Sequence, residues 1–219
     1  MNELSRMYSR RFGEDIEFRD RMWKVLCKFF QGYIPESSVV LDVAAGYCEF
    51  INNIKAKRKI AVDLNPEVKK FASKDVEIFI TKSTDMKKIK DKSIDVVFVS
   101  NFFEHLTKTD IVKTIREIYR VLRKGGRLLI LQPNYRFCYK DYYMWFDHLT
   151  PIDDRSLSEV LSLNGFEIKE SKPRFLPHTT KSRLPKSVFL LKLYLRMPIL
   201  HRLIGKQAFI YAEKCYPQR

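Results

Sequence analysis

The sequence predicts an α/β protein, a mostly parallel sheet with helices on both faces. Three observations predict it. Short apolar runs alternate with amphipathic stretches at helical spacing from residue 39 onward. The run IDVVFVS at 94–100 is apolar enough for a strand buried on both faces. Finally, VVLDVAAGYCEF at 39–50 passes from a β-branched run through an acid, two alanines and a glycine into an amphipathic stretch. That is a strand, a tight turn and the start of a helix.

Residues 1–13 are basic and polar, and read as a segment draped over the domain. From 14 to 33, apolar Ile16, Phe18, Met22, Val25, Leu26, Phe29 and Phe30 recur at helical spacing, and Pro35 marks the end. This helix should pack on the sheet beside the first turn. Strand one is 39–43, with its helix at 46–56. Strand two is 59–63, followed by a short helix at 66–73 opened by proline. Strand three is 76–81 and strand four 94–100. A strong amphipathic helix at 109–123 ends on Lys124-Gly125-Gly126, read as a glycine stop. Strand five is 127–132, a helix closed by Asn164-Gly165 spans 153–163, and the last strands are 166–172 and 207–213.

A chain of 219 residues suits one α/β domain with an appendage. Its 45% hydrophobic and 31% charged residues exclude a disordered chain. The net charge of +15 favours an anionic contact: nucleic acid, an acidic lipid surface or a phosphorylated substrate. Four cysteines, at 27, 48, 138 and 215, show no paired metal spacing. They read as reduced thiols of a cytoplasmic protein, so neither a disulfide framework nor a metal site is expected. The N-terminus lacks the apolar core of a signal peptide.

In parallel sheets, ligands sit beyond the C-terminal strand ends. Asp42, Gly46, Asp63, Ser83 to Asp85, Asn101 and Pro133 to Tyr135 all fall there. The turn after strand one exposes main-chain N–H groups that favour an anion or polar head. Asp63, about 20 residues past the turn, is placed to take the ribose hydroxyls of an adenosine-type cofactor. A full glycine fingerprint would carry glycine at Ala44 and Cys48, so an ordinary strand–turn–helix without a ligand is the alternative. After strand five, NYRFCYKDYYMWFDHLTP is dense in aromatic and polar groups, as substrate loops and self-packed loops both are.

Four stretches together resemble class I S-adenosylmethionine-dependent methyltransferases: LDVAAGYCEF with Asp63, SIDVVFVSNFFEHL, IREIYRVLRKGGRLLILQPN, and DHLTPIDDRSLSEVLSLNGFEI. They cover about residues 36–175 in the family's order. The resemblance implies a three-layer, Rossmann-like, seven-stranded sheet whose last strand runs antiparallel between strands five and six. It implies S-adenosyl-L-methionine as cofactor, with Asp42, Ala44 and Gly46 around its methionine part and Asp63 on the ribose. Leu64 would touch adenine, with Ser83, Thr84 or Asp85 at its edge, and Asn101 would lie beside the sulfonium. Ser83 stands where the family often has an acid. For a hydroxyl acceptor, His148 and His105 are the candidate general bases, because imidazole titrates near neutrality. His148 is the favoured one; a supporting role is the alternative for each.

The resemblance divides the chain into an N-terminal helical extension, 1–35, and a methyltransferase domain, 36–219, with an insertion at about 175–204. Nine Lys or Arg and no acid lie between 171 and 212, around the apolar run 188–204. That run is too short and too charged to span a bilayer. An interfacial helix on an anionic membrane, a lid or dimer contact, and a nucleic-acid surface compete as readings. Ser100-Asn101-Phe102-Phe103 departs from the Asn-Pro-Pro-Tyr pattern of base-amino methyltransferases, which disfavours nucleic acid. The insertion is also similar to methyltransferases of bacterial surface-glycan assembly. The expected function is O-methylation of a small molecule or a nucleotide- or lipid-linked glycan. An RNA or protein methyltransferase and a non-catalytic cofactor-binding scaffold are the alternatives.

Overall fold

The computed structural model describes residues 16–178 and 187–215. The readings for 1–13, for the start of the first helix and for bases 181, 183 and 186 lie outside those residues. Seven strands form one sheet in the order β3-β2-β1-β4-β5-β7-β6. They are β1 (Val39–Val43), β2 (Arg58–Asp63), β3 (Val76–Ile80), β4 (Ile94–Ser100), β5 (Leu122–Pro133), β6 (Phe166–Leu176) and β7 (Gln207–Lys214). Strands β3 to β5 pair in parallel, while β7 runs antiparallel to both β5 and β6. The expected fold class is borne out.

Period-two alternation along the strands feeds two cores, one on each face. On one face Leu41, Val43, Val97 and Val99 meet Ile111, Ile115 and Ile118 of α3 (Lys108–Val121). On the other, Val40, Phe98, Leu129 and Leu131 meet Leu26 and Phe30 of α1 (Ile16–Phe30) and Phe50 of α2 (Glu49–Asn53). Phe50 stacks on Phe98 with ring centroids 3.7 Å apart, and Phe29, Phe30, Phe175 and Phe209 extend this aromatic core. Cys27, Cys48 and Cys138 are buried free thiols; burial pushes Cys48 and Cys138 up to about 12, so they stay protonated at neutral pH.

Three elements differ from the sequence reading. The helix expected at 46–56 shrinks to α2, because Gly46 and Cys48 hold left-handed φ values of 52° and 58° that no helix tolerates. Gly125 and Gly126 do not stop α3. That helix ends at Val121 and Leu122 turns extended to pair with Ile94, which places both glycines inside β5 at a register shift. A β-carbon on Gly126 would lie 2.9 Å from Arg123 O. Strand β6 continues past Lys172 to Leu176, since Pro173, without an N–H, is tolerated on an edge strand; there Asn134 Nδ2 donates to its carbonyl at 2.8 Å.

A short helix α4 (Tyr135–Cys138) follows β5, and α5 (Asp154–Leu163) opens on a capping box between Asp153 and Ser156. The apolar run 188–204 is two helices, α6 (Val188–Arg196) and α7 (Pro198–Ile204), broken at Met197-Pro198. Tyr194 anchors them by donating to Phe175 O at 2.8 Å, while Phe189, Ile199 and Leu203 stay exposed. Among the described residues, no helix is long and apolar enough to cross a membrane.

Candidate active site

Beyond the C-terminal ends of β1 and β4 the turn is built from left-handed residues. Ala44, Gly46 and Cys48 have φ values of 60°, 52° and 58°. Alanine and cysteine at the two family-glycine positions keep a glycine-like backbone, at a cost of about 1–2 kcal/mol each. Asp63 fastens the turn: its carboxylate accepts from Gly46 N at 2.8 Å and from Asn65 N at 2.7 Å. Asp42, at the end of β1, is 4% exposed and Asp63 is 7% exposed. Burial raises both carboxyls. The charge of Asp63 raises Asp42 further, and the Ile51 N–H pulls it partly back.

A buried carboxylate held above its ordinary pKa weakens the fold when charged. The penalty is absent below the unfolded value near 3.8 and grows as pH rises towards the folded value. Asp42→Asn is therefore expected to raise Tm at neutral pH, by about 2–4 °C per kcal/mol relieved. The gain should shrink in acid. Thermal melts of both proteins across that range check it, and a pH-independent difference would exclude the charge as its cause.

A cavity of about 460 Å³ opens beside this turn. Its wall includes Asp42, Ala44 to Tyr47, Ser100 and Asn101, and, at its polar end, Glu104, His105, Trp145 and His148. Phe18, Arg19, Met22 and Trp23 of α1 form another wall, held by Arg19 donating to Glu49 through two bonds of 2.7 and 2.6 Å. Leu190 and Leu193 of α6 and Ile204 of α7 also line it. Asn101 takes a left-handed φ of 48° and donates from Nδ2 to Ser100 Oγ at 2.9 Å.

The polar end is made by two segments far apart in sequence. The N–H groups of Leu149 and Thr150 both donate to Glu104 O, at 2.7 and 3.1 Å, so the loop carrying His148 is fastened to the segment carrying His105. The two imidazole rings meet edge to face with centroids 5.1 Å apart, and Tyr142 also packs on His148, with centroids 4.7 Å apart. His105 Nδ1 lies 3.1 Å from Asp147 O and 3.1 Å from Asp147 Oδ2. Burial disfavours its charged form, yet the Asp147 and Glu104 carboxylates outweigh this and raise it. Glu104 is 1% exposed; burial raises it, against His105 and the Gln132 amide that donates at 2.9 Å.

Of the residues read from the sequence, Asp42, Ala44, Gly46, Asn101, His105 and His148 share this cavity. Asp63 acts on it through the turn. Leu64, 58% exposed, and residues 83–85 do not line it. Ser83 Oγ is 2.8 Å from Thr114 Oγ1 and is buried against α3, and Thr81 Oγ1 donates to Asp85 O at 2.8 Å. Sequence reasoning missed Glu104, Trp145 and His178 as neighbours of the site. An acid inside the apolar run NFFEHL was the available signal for the first.

The sheet order, the antiparallel β7 and a cavity across the ends of β1 and β4 define the class I methyltransferase fold. Residues 41–130 match the family described as a methyltransferase domain. The match runs from β1 into β5 and takes in the turn, Asp63, Asn101, Glu104 and His105. The chain is similar to the ubiquinone/menaquinone biosynthesis C-methyltransferase UbiE of Wigglesworthia glossinidia brevipalpis, 23% identical over 182 residues, covering 76% of this chain and 70% of that one. Its fold resembles that of an S-adenosylmethionine-dependent methyltransferase from Archaeoglobus fulgidus (TM-score 0.64, 20% identity, 88% and 94% of the two chains). It also resembles a Haloferax volcanii methyltransferase solved with its Trm112 activator (TM-score 0.71, 15% identity, 99% of each chain). The resemblance to class I methyltransferases read from the sequence is borne out.

Proposed function

We propose that the protein is an S-adenosylmethionine-dependent O-methyltransferase whose acceptor is a hydroxyl of a small molecule or of a nucleotide- or lipid-linked glycan. One observation carries the reading: buried Asp42, whose charge is opposed by Asp63 behind the turn, lines one cavity with the Glu104/His105/His148 group, a cationic cofactor's site beside groups that activate an acceptor. A buried anionic pair that repels itself is relieved by a cation, and the cofactor's sulfonium and ammonium supply one. In this reading Asp42, Ala44 and Gly46 surround the methionine part and Asn101 lies at the sulfonium. Asp63, with each oxygen already accepting a main-chain N–H, takes the ribose hydroxyls on its remaining lone pairs. Leu64 covers adenine. With Ser83 committed to Thr114, Thr84 and Asp85 are left for its edge.

Methyl transfer is an in-line displacement in which the cofactor holds the reactivity, so the protein aligns two partners and excludes water. His148 or His105 would accept the hydroxyl proton. The 1–35 extension closes one wall through α1, and the 175–204 insertion closes another. Leu193 and Ile204 both line the cavity and reach the surface, beside exposed Phe189 and Leu203 and with Lys192, Arg196 and Arg202 among them. That mixture suits a peripheral contact with an anionic membrane and a lipid-linked acceptor. The same apolar mouth favours a second reading, methylation at carbon of an apolar ring, the bond type in the name of the Wigglesworthia relative.

Calorimetric titration with S-adenosylmethionine and, separately, with NAD tests the cofactor. Micromolar binding of the first alone is expected; binding of neither overturns the enzyme reading. Flotation should carry the protein with phosphatidylglycerol vesicles at low salt and not at 1 M, where the screening length is about 3 Å. Equal flotation with neutral vesicles, or none with either, would remove the anionic-membrane contact.

A further inference from the structure

Glu104, His105 and His148 each offer one ligand-type atom, and these atoms all lie within 4.8 Å of one another. We propose that the three side chains form a divalent-cation site at the polar end of the cavity, and that the cation takes the acceptor hydroxyl as a further ligand. The second half rests on the hydroxyl-acceptor reading above; the site itself does not. Two imidazoles and one carboxylate suit a borderline transition cation such as zinc, manganese, iron or cobalt, and not calcium or magnesium, which prefer oxygen alone.

Several features fit a cation there. The Nδ1 of His105 is held by Asp147, which leaves Nε2 on the Glu104 side, 3.9 Å from Oε1. An imidazole fixed through its other nitrogen by a carboxylate or carbonyl is the outer-shell arrangement that orients metal-bound histidines. Gln132 occupies Glu104 Oε2 at 2.9 Å and leaves Oε1 to the cluster. A carboxylate 1% exposed costs least when a cation neutralises it. Ligands about 2.0–2.2 Å from a tetrahedral ion stand roughly 3.4 Å apart, so the widest separation must close by about 1.4 Å, within reach of side-chain rotation. All three residues line the cavity, so the remaining coordination position can face an acceptor.

The cation would lower the pKa of a bound hydroxyl, as it does for bound water. The hydroxyl proton then passes to solvent, and an oxygen lone pair forms the C–O bond to the methyl group. The C–S bond breaks with its electron pair returning to sulfur, and the sulfonium leaves as a neutral thioether. In that state both histidines are ligands and neither accepts the proton.

The full chain, stripped with EDTA and dialysed, is titrated with Co²⁺ by calorimetry and visible absorption. One equivalent should bind, with a d–d band, and should raise Tm. Glu104→Gln, His105→Gln and His148→Gln should each weaken binding at least tenfold and abolish the Tm rise. His105, the most exposed of the three, gives the variant least exposed to folding failure, and circular dichroism confirms the fold of each. No Co²⁺ binding by folded wild type, or undiminished binding in the folded variants, overturns the site. S-adenosylmethionine is titrated separately into the stripped protein. Cobalt binding without cofactor binding supports the site and overturns the cofactor reading, whereas cofactor binding without cobalt does the reverse.

Discussion

Replacing His148 by alanine should lower turnover by about 10²–10⁴-fold, the range for loss of a group that activates the acceptor hydroxyl, whether it takes the proton itself or holds the cation that acidifies it, while cofactor affinity stays nearly unchanged. The split follows from position. His148 stands against His105 and Tyr142 at the polar end of the cavity, on a loop fastened to Glu104 O, whereas the strained turn and Asp63 belong to β1 and β2. A ring that only filled space would give a different pattern. Its loss would loosen the loop, lower Tm and weaken cofactor and acceptor binding together. Single-turnover rates and calorimetry on the same preparation separate the two outcomes, and equal losses in both would make His148 a packing residue.

Asp63→Ala should weaken S-adenosylmethionine binding by about 1.5–3 kcal/mol, or roughly 10–150-fold, the cost of a charge-assisted hydrogen bond. Part of the loss comes from the protein itself. Without the carboxylate, Gly46 N–H and Asn65 N–H lose their acceptor, and the left-handed turn loses the contact that holds it. Asp63→Asn keeps an acceptor for one of them and should fall between wild type and alanine. Unchanged affinity in folded Asp63→Ala, measured by calorimetry, would remove Asp63 from the cofactor site.

The sheet was legible because its signals are local. Each strand is a short apolar run between helical stretches, and β4 read correctly to the residue because four contiguous apolar residues, Val96 to Val99, are buried and its one acid, Asp95, is half-buried near the start. The family match and the fold bear out the reading of class. What was not legible depends on partners distant in sequence or on backbone angles. Nothing in alanine or cysteine announces a left-handed φ, so 46–56 looked helical where the chain instead makes a strained turn. Gly125-Gly126 looked like a helix stop because glycine usually serves there; pairing of Leu122 with Ile94 decided otherwise. The meeting of Glu104 with His148 exists only once two main-chain N–H groups bind Glu104 O. The commitment of Ser83 to Thr114 likewise joins residues from different elements.

The antiparallel return of β7 has a consequence for how such a protein can diversify. Leu176 and Gln207 face each other across β6 and β7, so everything from 177 to 206 leaves and re-enters the sheet through one pair of neighbours. The entropic cost of closing such a loop grows only with the logarithm of its length. That stretch can therefore be lengthened, shortened or exchanged while the strands, the turn and Asp63 stay in place. A graft at 177–206 is expected to exchange the cavity wall formed by Leu190, Leu193 and Ile204 while leaving the turn after β1 in place.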